Sequence, residues 1–449
     1  MEAPAFVTAQ LLVSIVVLLI MVHVILLSVA YCIYLERKIS AYIQDRIGPN
    51  RVGFDFGFPA LKFLRGCFGL GQPLADGLKF FLKEDYVPEK VDKLLFTLAP
   101  MLAVIPALMG FAVIPWGGIW NVPTFTIPLL DWTIQGGPVV VAGAVVNVGV
   151  IYMLAISSLG VYGITLGGWA SNNKYSFLGG LRCTAQMLAY EIPLGLTLLC
   201  ALLIYGDVRA ENIVQHQAQH GWLVLAQPLA AVIFFICILA EANRAPFDNA
   251  ECEQELVGGY HTEYSSMRFA LFFLAEYSHM ITSCALFTLL FLGGYHLPLG
   301  FLFGDHHWFS PAAVGFIAVL AKLLVFFGKA ILLVCFQMVI RWTLPRMRFD
   351  QIMMMAWQAV IPISLALVVV TSVMVYFDLR SLVPLLLSNI ATAAVILAIY
   401  PYLPHYFPNR RTQLYGSRFY PMPGERVLTG PTHAMAIEDR PYEGTVTVQ

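Results

Sequence analysis

The stretch from Leu239 to Met280 places Glu241, Asp248, Glu251, Glu253, Glu255, Glu263 and Glu276 in a chain that is 59% hydrophobic and only 12% charged. Proton transfer is the chemistry these residue types offer. A carboxylate at or just inside a membrane boundary costs free energy unless it lines water, pairs with a cation or holds a proton. Neighbouring carboxylates raise one another's proton affinity, so small rearrangements can move protons among them. Glu251 and Glu255 stand four apart and share a face if their loop is helical, with Glu253 turned away. Elsewhere Glu191 precedes Pro193 by two residues, and a proline there loosens the backbone about one turn earlier. Glu276 and His279 are spaced i, i+3, and Lys322 and Lys329 lie seven apart on one face. In lipid each ionisable group would cost about 2.5 to 3.5 kcal/mol. Glu191, Glu276, Lys322 and Lys329 together would then cost about a domain's whole net stability, on the order of 5 to 15 kcal/mol. They must face inward, either as static Glu–Lys pairs or along a route for protons.

The elements that position these groups follow from composition. A 449-residue chain with mean hydropathy +0.75 and several long uncharged runs is an all-α polytopic membrane protein. Spans are expected near 8–34, 94–114, 138–160, 183–205, 222–241, 269–292, 312–337, 355–377 and 382–400, about nine in all. The first run lacks a basic start and a small-residue cleavage site, so it reads as a permanent helix rather than a signal peptide. Basic residues concentrate between the first two spans and in every second segment thereafter, while the opposite segments hold only Arg209 and Arg380. That asymmetry predicts the N-terminus outside and the C-terminus inside. The organisation expected is a transmembrane domain over 1–401, with a basic inside loop at 36–93 and an acidic loop at 241–268. The Pro/Gly-rich tail at 402–449 reads as extended or disordered.

Within the first loop, Phe58 to Phe68 and GQPLADGLKFFLKED mix apolar residues with Lys62, Arg65, Lys79 and Lys83, which suits interfacial helices. A basic floor under an apolar roof could admit an amphipathic, lipid-like molecule. The Gly-rich run ending in GGWASNNKYSFLGGLR is expected to serve close helix packing. The eight cysteines form no Cys-x-x-Cys or Cys/His cluster. No metal site, iron–sulfur centre or disulfide is expected, and any electron chemistry belongs on another polypeptide.

Five motifs in order carry a resemblance: YLERKISAYIQDRIGPNRVG, GQPLADGLKFFLKED, GGWASNNKYSFLGGLR with AQMLAYEIPLGL, ANRAPFDNAECEQELVGGYHTEYSSMRFALFFLAEY, and RWTLPRMRFDQIM. Together they resemble the quinone-site membrane subunit of the proton-pumping NADH:quinone oxidoreductases, respiratory complex I. The resemblance implies a tunnel for ubiquinone or menaquinone as substrate, drawing on Arg37, Arg46, Arg51, Gln72, Asp76 and Lys79, and on Arg244, Phe247 and Asp248. It implies an acidic proton-coupling path through Glu191, Glu241, Glu251, Glu253, Glu255, Glu263 and Glu276. It places FMN and iron–sulfur clusters on partner subunits: the redox arm, small membrane-arm subunits and antiporter-like subunits. The sequence departs from the family pattern at Ala189, Ala242 and Asn249-Ala250, and Phe54 to Phe68 is longer than usual, so no roles are carried there. A bacterial cytoplasmic membrane is the expected location. Two rivals are the anchor subunit of a related membrane-bound hydrogenase and a stand-alone proton-coupled transporter; the latter predicts inverted repeats, which are not visible.

Overall fold

The computed structural model describes residues 8–54, 65–127, 132–249, 252–297 and 313–402. Helix α1 (Ala9–Ile43) starts where the Thr8 hydroxyl accepts from the Leu11 amide at 3.2 Å. Its 35 residues span about 50 Å, well beyond a hydrocarbon core of about 30 Å, so the surplus carries Arg37 and Lys38 toward water. Helix α2 (Gln72–Leu82) buries no residue and leaves Leu74, Leu78, Phe81 and Leu82 exposed, as an interfacial helix should. Ser266 holds it by donating to the Phe80 and Lys83 carbonyls at 2.9 and 3.0 Å. Of the companion segment Phe58 to Phe68, residues 65–68 lie among the described residues, in a turn that runs into the short 3-10 element Cys67–Gly69.

Helix α3 (Lys93–Met109) is capped by Asp92, whose carboxylate accepts from the Leu94 and Leu95 amides. Two antiparallel ribbons follow, β1 (Ile119–Val122) with β4 (Gly137–Val140) and β2 (Phe125–Ile127) with β3 (Trp132–Ile134). These correct the span expected at 138–160: the helix there is α4 (Gly149–Ala170). Val139, Val140 and Val141 are as hydrophobic as a spanning helix, and a hydropathy window cannot separate the two. Gln10 of α1 secures this edge, donating to the Val140 carbonyl and accepting its amide. Helix α5 (Lys174–Tyr205) begins nine residues earlier than expected, so Lys174 and Arg182 stand on its first turns rather than in a loop.

Helices α3, α4 and α5 pack through small residues, the use expected of the Gly-rich run. A Cβ on Gly163 of α4 would sit 2.5 Å from the Ala103 amide nitrogen of α3, and one on Gly179 of α5 would sit 2.7 Å from Gly259. Helix α6 (Ala210–His220) leads to α7 (Leu223–Ala226) and α8 (Pro228–Glu241), broken at Gln227. The span expected at 222–241 is thus a discontinuous pair, because Pro228 cannot continue α7. Helix α9 (Glu253–Leu256) is a single turn, followed by α10 (Ser266–Phe291), α11 (Phe316–Thr343), α12 (Phe349–Tyr376, with a π turn over Met355–Val360) and α13 (Leu382–Ile399).

Eight helices among the described residues are long and apolar enough to cross a membrane, and α8 is a shorter apolar ninth. The connecting segments gather alternately at two ends. At one end Tyr34 donates to the Phe68 carbonyl, Asn172 to the Lys90 carbonyl and the Met347 amide to the Pro246 carbonyl. At the other, the Asn121 amide meets the Val314 carbonyl and Tyr205 meets the Leu290 carbonyl. The chain divides into units Met1–Ile396 and Leu397–Gln449. The tail expected at 402–449 lies, beyond Tyr402, outside the described residues.

Candidate functional site

Helix α8 delivers the chain to a loop, 242–249, that is buried throughout. Arg244 is only 4% exposed and sits between two carboxylates, with Nε 2.7 Å from Glu276 Oε1 of α10 and a terminal nitrogen 3.3 Å from Glu36 Oε2 of α1. Arg341 of α11 contributes a second cation, 2.6 Å from Glu36 Oε1. Tyr277 donates its hydroxyl to Glu36 and lays its ring under the Arg244 guanidinium, 4.0 Å away. Two carboxylates and two guanidiniums give zero net charge, the condition under which buried ions are tolerated. Arginine suits the position because its planar fork reaches two carboxylates at once.

Glu276 also faces a cavity of about 40 Å³, lined with Glu241, His279, Asn243, Met187 and Pro106 among others. That is room for a few water molecules beside Glu241, Glu276 and His279, within walls that are otherwise mostly apolar, and far too little for a quinone ring. His279 Nε2 lies 3.4 Å from Glu241 Oε1. Sequence spacing joined His279 to Glu276; the structure sets it against Glu241 as well, and all three line the same cavity. Gln186 of α5 pins the backbone around Glu241, its amide donating to the Ala240 and Phe247 carbonyls at 2.9 and 2.8 Å.

The remaining acidic positions separate from this core. Asp248 is buried and pairs with Arg346 at 2.8 Å, while Arg346 also reaches the Cys252 sulfur at 3.1 Å. Burial opposes the charge on Arg346, but Asp248 beside it prevails and holds its proton more firmly than usual. Glu255 is exposed and paired with Arg182 at 2.5 Å. Glu263 is half-buried and accepts from Asn173 at 2.6 Å; the side-chain oxygen of that asparagine caps α5. Glu191 is half-buried and makes no ion pair among the described residues. Glu253 begins α9, with extended Cys252 before it, and Glu251 lies outside the described residues.

The tunnel residues implied by the resemblance form two groups. At the end of α1, Arg37 pairs with Asp76 at 2.9 Å, Gln72 donates to Asp76, and Lys79 and Arg51 are exposed. Arg37, Arg46, Ser40, Gly48 and Pro49 line a cavity of about 390 Å³, large enough for a quinone headgroup. Arg244, Phe247 and Asp248 are buried, Arg244 tied to Glu36 and Glu276 and Asp248 tied to Arg346. Phe247 packs against Tyr190 with ring centroids 5.5 Å apart.

Lys322 and Lys329 face inward, as expected of ionisable groups within a span, and both donate to backbone carbonyls. Lys322 donates to the Ala313 carbonyl at 2.6 Å, above the Tyr295 ring. Lys329 fills a cage of three carbonyls, Leu292, Gly294 and His296, at 2.6 to 2.9 Å, over the Trp222 indole. Frayed carbonyls after α10 are good acceptors for an ammonium. Sequence reading missed Glu36, Tyr277, Arg341 and Arg346 as network members. Glu36 carried the one available signal, as the first charge after an unbroken apolar run; the two arginines were indistinguishable from other basic loop residues.

Fold and site together define a polytopic helical membrane protein built around buried ion pairs beside a small cavity that Glu241, Glu276 and His279 line. Residues 16–372 match the family model described as NADH dehydrogenase. An H-type subunit of the NADH-quinone oxidoreductase of Geobacter sulfurreducens is 46% identical over 361 residues, covering 80% of this chain and 93% of that protein. The corresponding NADH-quinone oxidoreductase subunit from Flavobacterium johnsoniae is 39% identical over 360 residues, covering 80% and 94%. That from Koribacter versatilis is 42% identical over 377 residues, covering 81% and 97%. The chain belongs to the NADH dehydrogenase family, and its relatives are the H-type subunits of NADH-quinone oxidoreductases. The family match ends before α13.

Proposed function

We propose that this chain is the membrane subunit of a proton-translocating NADH:quinone oxidoreductase that admits quinone and couples its reduction to proton movement. The observation that carries this reading is Arg244, a residue of the expected tunnel set, bonded directly to Glu276 of the expected proton path. A change of charge at a quinone beside the loop alters the balance between Arg244 and its two carboxylates. Glu276 then exchanges a proton with Glu241 through water and His279 in the cavity they share. Quinone enters along the interfacial face of α2 and the basic cavity at Arg37 and Arg46. Glu251, Glu253, Glu255 and Glu263 extend the acidic surface toward a redox-arm partner, and Glu191 extends the path into the membrane.

Quinone is the substrate, and FMN and iron–sulfur clusters reside on partner subunits, with small membrane-arm and antiporter-like subunits alongside. The membrane is a bacterial cytoplasmic membrane, with the N-terminus outside and the basic and acidic loops inside. The test is Glu276→Gln in the whole complex. NADH oxidation by a hydrophilic artificial acceptor should be unchanged, while quinone reduction or the proton-to-electron ratio falls. Normal values of both with full assembly would sink the proposal.

A further inference from the structure

At the end of the molecule opposite the acidic loop, α6 presents His216 and His220 one helical turn apart. Their rings stack, with centroids 4.3 Å apart and planes 19° apart. On its other side His216 meets the edge of Tyr205, with centroids 5.3 Å apart. His220 Nδ1 donates to the His216 carbonyl at 3.2 Å, because a carbonyl oxygen can only accept. That bond places a proton on Nδ1 and leaves Nε2 of the neutral ring with its lone pair, as metal-binding histidines are commonly prepared.

We propose that His216 and His220 form a binding site for a borderline divalent transition metal, Zn²⁺ or Cu²⁺, with water completing the coordination. Imidazole suits these ions, whereas Mg²⁺ and Ca²⁺ prefer oxygen ligands. Zn–N bonds of about 2.0 to 2.1 Å hold adjacent ligand nitrogens roughly 3 Å apart. Rings already stacked one turn apart reach that spacing by rotating about their side-chain bonds.

His216 is held below its usual range, first by burial and then by His220 and Arg380. Arg380 repels any cation, so the site favours ions that bond strongly to nitrogen over ions held by charge alone. No group of three or more His, Cys, Asp or Glu gathers among the described residues, and among these the site's protein share is two imidazoles. Such an ion exchanges readily, and it stiffens a helix that grips the end of α10. Gln217, between the two histidines, donates to the Leu289 carbonyl at 2.7 Å and accepts the Gly293 amide at 2.8 Å.

The experiment is a Cu²⁺ titration of the full chain in detergent, read by electron paramagnetic resonance, with Zn²⁺ as competitor. One copper should show hyperfine coupling to two nitrogens and be displaced by Zn²⁺. His220→Gln, at an exposed position, should weaken binding by about tenfold or more and leave at most one coupled nitrogen. His216→Gln should do the same. The His220 variant keeps the test decisive if the half-buried His216 variant folds poorly. Copper bound equally well by wild type and His220→Gln, or no binding below about 1 mM, overturns the proposal.

Discussion

Arg244 Nε stands 2.7 Å from Glu276 Oε1, so a loop residue and a mid-helix carboxylate 32 positions later in the chain share one buried charge pair. The same guanidinium reaches Glu36 of α1, which makes Arg244 the cross-tie between the first helix and α10. Because Arg341 neutralises the second carboxylate, the network is balanced only while all four charges are present.

Arg244→Met should therefore be severe. Removing one partner of a buried pair costs about 3 to 5 kcal/mol, because the remaining charge is left without compensation. Reduced assembly on native gels and loss of quinone reduction are expected. Arg244→Met with Glu276→Gln removes both charges of the pair and should recover part of the assembly while leaving turnover low. Equal assembly in the single and double variants would show that the pair is not coupled.

The acidic loop gives a contrasting outcome. The Arg182–Glu255 pair is partly exposed, and such pairs contribute about 0 to 1 kcal/mol. Glu251→Gln with Glu255→Gln should therefore assemble normally and still pass electrons from NADH to a hydrophilic acceptor. We expect quinone reduction and pumping to fall. If both stay at wild-type values, those two carboxylates are a solvated face with no part in coupling.

Lys329→Met tests a structural role at the other end. It leaves the Leu292, Gly294 and His296 carbonyls without their ammonium, and bonds to charged groups are worth about 1.5 to 3 kcal/mol each. The complex should lose activity faster on heating, with an unchanged proton-to-electron ratio in the surviving fraction. A changed ratio at normal thermal stability would place Lys329 on the proton path instead.

Thiol labelling checks orientation. Cys183 and Cys252 are buried, whereas Cys67 is half-buried at the end that carries the basic loop. An impermeant maleimide should label Cys67 in inverted vesicles and spare it in intact cells. Labelling from outside would reverse the assigned orientation.

The sequence alone determined the class, the family and most of the spans, because those rest on local hydropathy, charge counts and motifs. The rule that ionisable groups in lipid must face inward also correctly anticipated burial of Lys322 and Lys329. It could not name their partners, since a backbone carbonyl has no signature in residue types. Only tertiary structure decided that Val139 and Val140 form a strand edge held by Gln10, and that α7 and α8 break at Gln227. Likewise only the packing of α1, α8, α10 and α11 selected Glu36, Arg341 and Tyr277 from many similar residues to surround Arg244. Periodicity reports which face of a helix is apolar; partners 208 residues apart, such as Glu36 and Arg244, become neighbours only when separate helices close around them.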